Sequence, residues 1–343
     1  MKKRSIELDA IRVLAMLLII LCHIFLEQGI MWGEYFNVGV IVFLFLSGYS
    51  FGKEYKQDWC SWHKKRLLRI LPEYYIFVLA YIVLVLLLNY QISLKQVCVN
   101  LFLLQGLFTD VALPNIGHLW FITYILICYA ITPLLQKVCK NSSRAAIVLV
   151  IFLGAFQVVS IPLRAVGIRL VVARFGAYVM GYYVSSKLVC KDRESEDIHR
   201  HCVRLTIPAI LLNGCRLIYE LSGMESHMPS IIGMGMSLIW QWVHCLLGIW
   251  LFCFLWCVFN KYIATKGISE TVKRLITRLS EYSFCIYIVH QVFIYHDFAL
   301  TRFITPYPLG IIVALFVIGI CSAILYKLSG LLRKVILCNV DSQ

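Results

Sequence analysis

Apolar segments of spanning length recur from about residue 10 to residue 332, and no long polar block separates them. An α-helix crossing a bilayer needs about 20 mainly apolar residues. Read this way, the chain offers spans near 8–27, 36–52, 72–89, 117–136, 145–162, 170–186, 203–221, 232–259, 281–298 and 308–332. The segment 203–221 is the most polar of them, with Arg204, Pro208, Arg216 and Glu220. The expected fold is therefore an all-α polytopic transmembrane bundle of about ten spans, one membrane-embedded domain over residues 1–343. Composition agrees: 61% of residues are hydrophobic and 15% charged, whereas soluble domains carry about 25% charge. No soluble domain is expected beyond the last span.

Residues 13–27 follow Lys2, Lys3 and Arg4 as a signal peptide would, but no small-residue cleavage site comes after them. The segment is read as the first span. Ten spans place both termini on one side, and the positive-inside rule tests which. The termini and even-numbered loops hold 25 Lys and Arg against 5 on the odd-numbered side, counting Arg174 just inside the span 170–186. Both termini are thus expected in the cytoplasm. Three of those five, Arg164, Arg169 and Arg174, cluster on the outer side, either as lipid and acid partners or as an outer anion site. The polar stretch Lys187 to Arg204 reads as a cytoplasmic loop.

The net charge of +14 lies in short clusters between apolar runs, where it meets anionic lipid; nucleic acid is not an expected partner. The 14 cysteines show no C-x-x-C spacing, so neither a zinc site nor a disulfide framework is indicated. No metal site is expected, because His23 has no ligand-type residue at metal spacing in the sequence.

Helix one carries the chemistry. Arg12 and His23 are eleven residues apart, which is within about 20° of three full turns and a rise of roughly 16 Å. They share one helix face, Arg12 near the inner boundary and His23 deep in the hydrocarbon. Ionisable groups at that depth are costly unless they face a cavity or partner. The alternatives are a packed neutral imidazole for His23 and, for Arg12, an ion pair with Asp9 three residues earlier. An imidazole can act as general base or accept an acyl group.

Before the third span, Arg66 and Arg69 lie on one helical turn, and Pro72 reads as a helix start. Guanidinium forks match phosphates, so this cluster either holds a nucleotide-bearing donor or anchors lipid. His118 and Trp120 open the fourth span, as interfacial residues or as lining of an acceptor entrance. Tyr287 and His290 share a face of the ninth, where interhelical hydrogen bonds would also explain them.

These residues, with Phe45-Leu46-Ser47-Gly48-Tyr49, Lys65 to Pro72, His118-Leu119-Trp120-Phe121 and Tyr282 to His290, resemble in order and spacing the acyltransferase-3 family of membrane acyltransferases over essentially the whole chain. The resemblance implies that an acyl group, often acetyl, passes from cytoplasmic acyl-coenzyme A to a hydroxyl or amine of an envelope glycan, lipid or related acceptor, O-acylation more than N-acylation. It makes His23 catalytic and Arg12, Arg66 and Arg69 donor-binding, with Asp9, His118, Trp120, Arg174, Tyr287 and His290 as secondary candidates. No permanently bound cofactor is implied, and a bacterial inner membrane is the expected location. Many polysaccharide-modifying members carry a Glu shortly after the Trp of the fourth span; here Trp120 is followed by Phe121-Ile122-Thr123-Tyr124-Ile125, which leaves the acceptor class open. The rival reading is a transporter or flippase of envelope glycans or amino acids, although no inverted repeat is visible.

Overall fold

The computed structural model describes residues 5–52, 58–141, 145–165, 171–188, 193–224 and 230–341. Eleven α-helices lie among them: α1 Ile6–Glu27, α2 Val38–Gly52, α3 Trp59–Leu87, α4 Leu94–Leu101, α5 Trp120–Asn141, α6 Ala145–Ala165, α7 Val172–Tyr183, α8 Glu194–Leu221, α9 Ser230–Lys266, α10 Glu270–Ile294 and α11 Tyr307–Asp341. Strands are absent among the described residues. Every expected span coincides with one of these helices, α4 being the extra short one. Seven are long and apolar enough to cross a membrane by length and composition: α1, α2 with the 3-10 turns before it, α3, α5 with its preceding turn, α8, α9 and α11. Thus the chain is a multi-pass helical membrane protein.

Local chemistry sets the helix ends. Ser5 caps α1, its hydroxyl accepting from the Leu8 amide at 3.4 Å, and Glu7 and Asp9 lie in the first turn where the helix dipole favours acids. At the other end Gly29 takes a left-handed φ of +73°, and the Ile30 amide reaches back to the Phe25 carbonyl at 2.9 Å. Two sequence readings are corrected here. Helix α3 does not start at Pro72 but at Trp59, capped by Asp58, whose carboxylate accepts from the Ser61 amide at 3.1 Å; Pro72 lies inside the helix. Likewise the polar stretch read as a loop is helical from Glu194, because Glu194, Glu196 and Asp197 suit an N-terminal turn.

Proline within a helix orphans the carbonyl four residues earlier. Here that carbonyl is Leu68, and the Arg333 guanidinium of α11 donates to it at 2.8 Å. Arg333 also pairs with buried Glu73, which accepts from the Ser329 hydroxyl at 3.0 Å. The Pro72 interruption is therefore repaired from α11, and the pairs 68 to 333 and 73 to 329 run the two helices antiparallel.

Helix α2 is the central one, with eleven of fifteen residues buried. Gly48 packs on the Tyr178 carbonyl and the Tyr182 amide, Gly52 on the Tyr182 carbonyl, and Gly181 on the Phe45 carbonyl, so a Cβ at any of them would collide with backbone. Small residues four apart let helices approach this closely without hydrophobic drive. Both helices run parallel to α5, Phe43 and Phe51 of α2 meeting Phe121 and Tyr129, and Phe175 and Tyr178 of α7 meeting Tyr124 and Thr132, so α2 and α7 are parallel. Helices α8 and α9 are antiparallel: Asn213 donates to the Val243 carbonyl at 3.2 Å, Trp250 to Thr206 at 3.0 Å and Asn260 to Ser195 at 2.7 Å.

Helix α1 runs parallel to α10. Arg12 reaches Ser280 at its start and His23 reaches His290 near its end. Beyond them, Arg302 donates to Glu27 at 2.6 Å, and the His296 amide donates to the same carboxylate at 3.1 Å. That clamp ties the carboxyl end of α1 to the segment after α10.

Candidate active site

A cavity of about 730 Å³ opens among α1, α2, α3, α5, α10 and α11. Its wall carries four arginines, Arg12, Arg66, Arg69 and Arg333, with the acids Asp9, Glu73 and Glu281, and extends past Ile19, Val40, Phe43 and Phe121 to Tyr287. One end is cationic and the other apolar and aromatic.

The arginines are held differently. Arg12 donates to Asp9 at 3.0 Å and to Ser280 at 2.8 Å, and the Ser280 hydroxyl donates to the same Asp9 oxygen at 2.7 Å. The expected Asp9 to Arg12 pair is therefore present, yet Arg12 still lines the cavity. Arg66 lies 4.4 Å over the Phe51 ring and 5.4 Å from that of Trp62. Arg69 is exposed and makes no ion pair among the described residues.

His23 and Arg12 do share a face, since both turn toward α10. His23 is not, however, among the residues lining this cavity. It lies one turn beyond Ile19 and keeps some accessible surface. The Tyr287 ring joins the two regions: it belongs to the cavity wall and lies 5.4 Å from the His118 ring and 5.8 Å from that of His290.

Beside His23 the structure assembles what the sequence reading did not foresee. The His23 and His290 rings meet edge to face at 4.9 Å, those of His118 and His290 at 5.0 Å, and those of His23 and His118 at 6.5 Å. Along the sequence Cys22 adjoins His23 and Glu27 follows it by one helical turn, so ligand-type residues were nearer than expected, and in space His118 and His290 join it. Among the described residues, no group of three or more His, Cys, Asp or Glu is placed to hold a metal ion.

The partners fix the protons. Carbonyls only accept, so His290 donates from Nδ1 to the Tyr287 carbonyl at 2.7 Å, leaving its neutral ring a lone pair on Nε2. That lone pair faces His23 Nδ1 at 3.1 Å, and the Ile19 carbonyl faces the same nitrogen at 2.9 Å. Both neighbours accept, so the His23 hydrogen is on Nδ1 and the basic lone pair is on Nε2. His118 donates from Nε2 to the Ile288 carbonyl at 3.0 Å, and its amide donates to Gln291 at 2.9 Å. Its Nδ1 is buried without a partner. The Tyr287 hydroxyl donates to the His118 carbonyl. His118 is thus a buried link between α5 and α10 rather than an interfacial residue, whereas Trp120 is half-buried beneath Arg174, whose guanidinium lies 3.6 Å over its ring.

A family model described as an acyltransferase domain matches residues 5–327, essentially the whole chain. The chain belongs to the acyltransferase-3 family. No curated relative and no solved structure matches it. Membership makes it a membrane-embedded transferase. Arg169 lies outside the described residues, as does the Arg164 side chain, so of the outer arginine cluster only Arg174 is described. The sequence reading missed Glu73, Ser280 and Arg333 in the cavity wall. Glu73, an acid following Pro72 inside an apolar run, was the one available signal.

Proposed function

We propose that this acyltransferase takes an acyl group, acetyl in the simplest case, from cytoplasmic acyl-coenzyme A and passes it to a hydroxyl, or less readily an amine, of an envelope glycan, lipid or related acceptor. The observation that carries the reading is the convergence of four guanidiniums on one cavity whose far wall is Tyr287, a member of the histidine cluster. Guanidinium forks suit the phosphates of a coenzyme A, and the apolar far end suits the acyl thioester.

The chain is taken to cross the membrane ten times, with both termini cytoplasmic, in a bacterial inner membrane. Three helix pairs support that alternation. In a ten-span path the first and ninth spans run alike, as do the second and sixth, while the third and tenth oppose each other; α1 with α10, α2 with α7, and α3 with α11 run so. The arginine cavity then opens inward, on the side that holds most of the Lys and Arg.

On this reading His23 supplies Nε2. As general base it takes the acceptor hydroxyl proton while that oxygen attacks the thioester carbonyl carbon; the C–S bond breaks, and the proton passes to the departing thiolate. As nucleophile the same nitrogen would first attack the thioester carbonyl, the C–S bond breaking and coenzyme A leaving as thiol with the Nδ1 proton. The acceptor hydroxyl would then take the acyl group as the N–C bond breaks and its proton returns to the imidazole. Both routes need the proton on Nδ1, the position in which His290 and Ile19 hold it. For the thioester to arrive from the arginine cavity, the Tyr287 ring has to yield at the cavity's far end.

The test is transfer of label from acetyl-coenzyme A to envelope material in membranes holding equal amounts of intact chain and His23→Ala. Label should appear only with the intact chain, the variant falling by about 100-fold or more. Equal labelling by the variant contradicts the reading, and solute flux without any acyl donor identifies a transporter instead.

A further inference from the structure

A second cavity of about 280 Å³ opens at the other end of the bundle, bounded by Glu34, Arg174, Arg216, Glu220, Trp240 and His244 among others. By volume it holds roughly nine waters, enough for a small polar group and far too little for a coenzyme A.

Its polar groups divide into two sets. Arg216 pairs with Glu220 at 2.7 Å, and the Tyr35 hydroxyl donates to Glu220 at 3.0 Å. These satisfy one another. Arg174 stacks on Trp120 and hydrogen-bonds the Tyr124 side chain, but has no carboxylate within ion-pairing distance among the described residues. The Trp240 indole N–H and His244 Nδ1 are buried with no hydrogen-bond partner. A half-buried cation with no counter-ion among the described residues and a buried donor without an acceptor are both costly, and the contacts of Arg174 with Trp120 and Tyr124 offset only part of that. The cost is removed if an oxyanion enters. Trp120 is two residues from His118, so Arg174 abuts the segment that carries the histidine cluster.

We propose that this pocket binds an oxyanion, a carboxylate or phosphate monoester, carried by the molecule that receives the acyl group, with Arg174 as counter-ion and the Trp240 N–H as hydrogen-bond donor. The anion binding stands on the pocket alone; that its bearer is the acyl acceptor rests on the acyl-transfer reading. Glu34, on the exposed rim, has no ion pair within 4 Å among the described residues and weakens anion entry until the anion's remaining polar groups reach it.

The experiment uses the full chain in phosphatidylcholine nanodiscs, with binding of glucuronate, glucose 6-phosphate and glucose measured by calorimetry and coenzyme A measured in parallel. Both anionic sugars should bind at least tenfold more tightly than glucose. Arg174→Gln should remove that advantage, Arg174→Lys should keep part of it, Trp240→Phe should lower it several-fold, and Glu34→Gln should raise it, all with coenzyme A binding unchanged. Glucose binding as well as the anions, or Arg174→Gln and Trp240→Phe both leaving the advantage intact, overturns the proposal. Failure of coenzyme A to bind, with the anion preference intact, would instead sink the acyl-transfer reading and leave the pocket standing.

Discussion

Arg333 and Arg174 each sit half-buried in the wall of a cavity, at opposite ends of the bundle, yet among the described residues only Arg333 has a carboxylate. Arg333 is spent on Glu73 and on the Leu68 carbonyl that Pro72 orphans. Arg174 has an aromatic ring beneath it and no acid paired with it among the described residues. The contrast teaches that an arginine in a membrane cavity has to be sorted by what already holds it before it is assigned a ligand. In the large cavity Arg12 and Arg333 are pinned by buried acids and shape the wall, whereas Arg69 has no ion pair among the described residues and Arg66 is oriented by Phe51 and Trp62. Arg69, exposed and without an ion pair among the described residues, is open to a phosphate, and Arg66 faces the same cavity from its place over Phe51.

Breaking the structural pair should have the largest effect. Arg333→Met leaves Glu73 buried without its partner and should cost about 3–5 kcal/mol of stability, seen as a lower unfolding temperature in detergent, while Glu73→Gln combined with Arg333→Met recovers much of the loss. If Arg333→Met unfolds no earlier than the intact chain, the sorting is wrong. Replacing both Arg66 and Arg69 by Gln should raise the KM for acetyl-coenzyme A by about 100-fold, since each charge-assisted bond is worth roughly 1.5–3 kcal/mol, with little change in unfolding temperature. An unchanged KM would remove these two from the donor site.

A smaller effect is expected at His290. His290→Phe deletes the acceptor facing His23 Nδ1, but the Ile19 carbonyl still holds that hydrogen. Turnover should fall by about tenfold, roughly 1.4 kcal/mol, with KM for the donor unmoved. A loss as deep as that of His23→Ala would mean that His290 itself takes part in the reaction.

The sequence told a good deal of this, for physical reasons that also mark where it stopped. Helix positions were legible because spans of about 20 apolar residues leave few alternatives. The common face of Arg12 and His23 followed from helical periodicity, and so did the Asp9 to Arg12 pair. Contacts across the bundle were not legible: His23 meets His290 from 267 positions away, and no local pattern encodes that. Pro72 misled because proline favours helix starts, while the group that makes its interior position tolerable, Arg333, lies on the last helix. Arg174 stood out as an outer positive charge against the topology rule, but that no described carboxylate pairs with it could be seen only in three dimensions.

The central claim, that the arginine cavity conducts an acyl donor to His23, is tested most directly by photo-crosslinking. Acyl-coenzyme A with a diazirine in its acyl chain would be irradiated with the full chain in nanodiscs, and the modified residues mapped by mass spectrometry. The account predicts labels on Ile19, Phe121, Tyr287 and the histidine cluster, lost on adding excess coenzyme A and in the Arg66→Gln, Arg69→Gln double variant. Labels confined to lipid-facing side chains such as Leu17 and Leu21, or unaffected by coenzyme A, would contradict it.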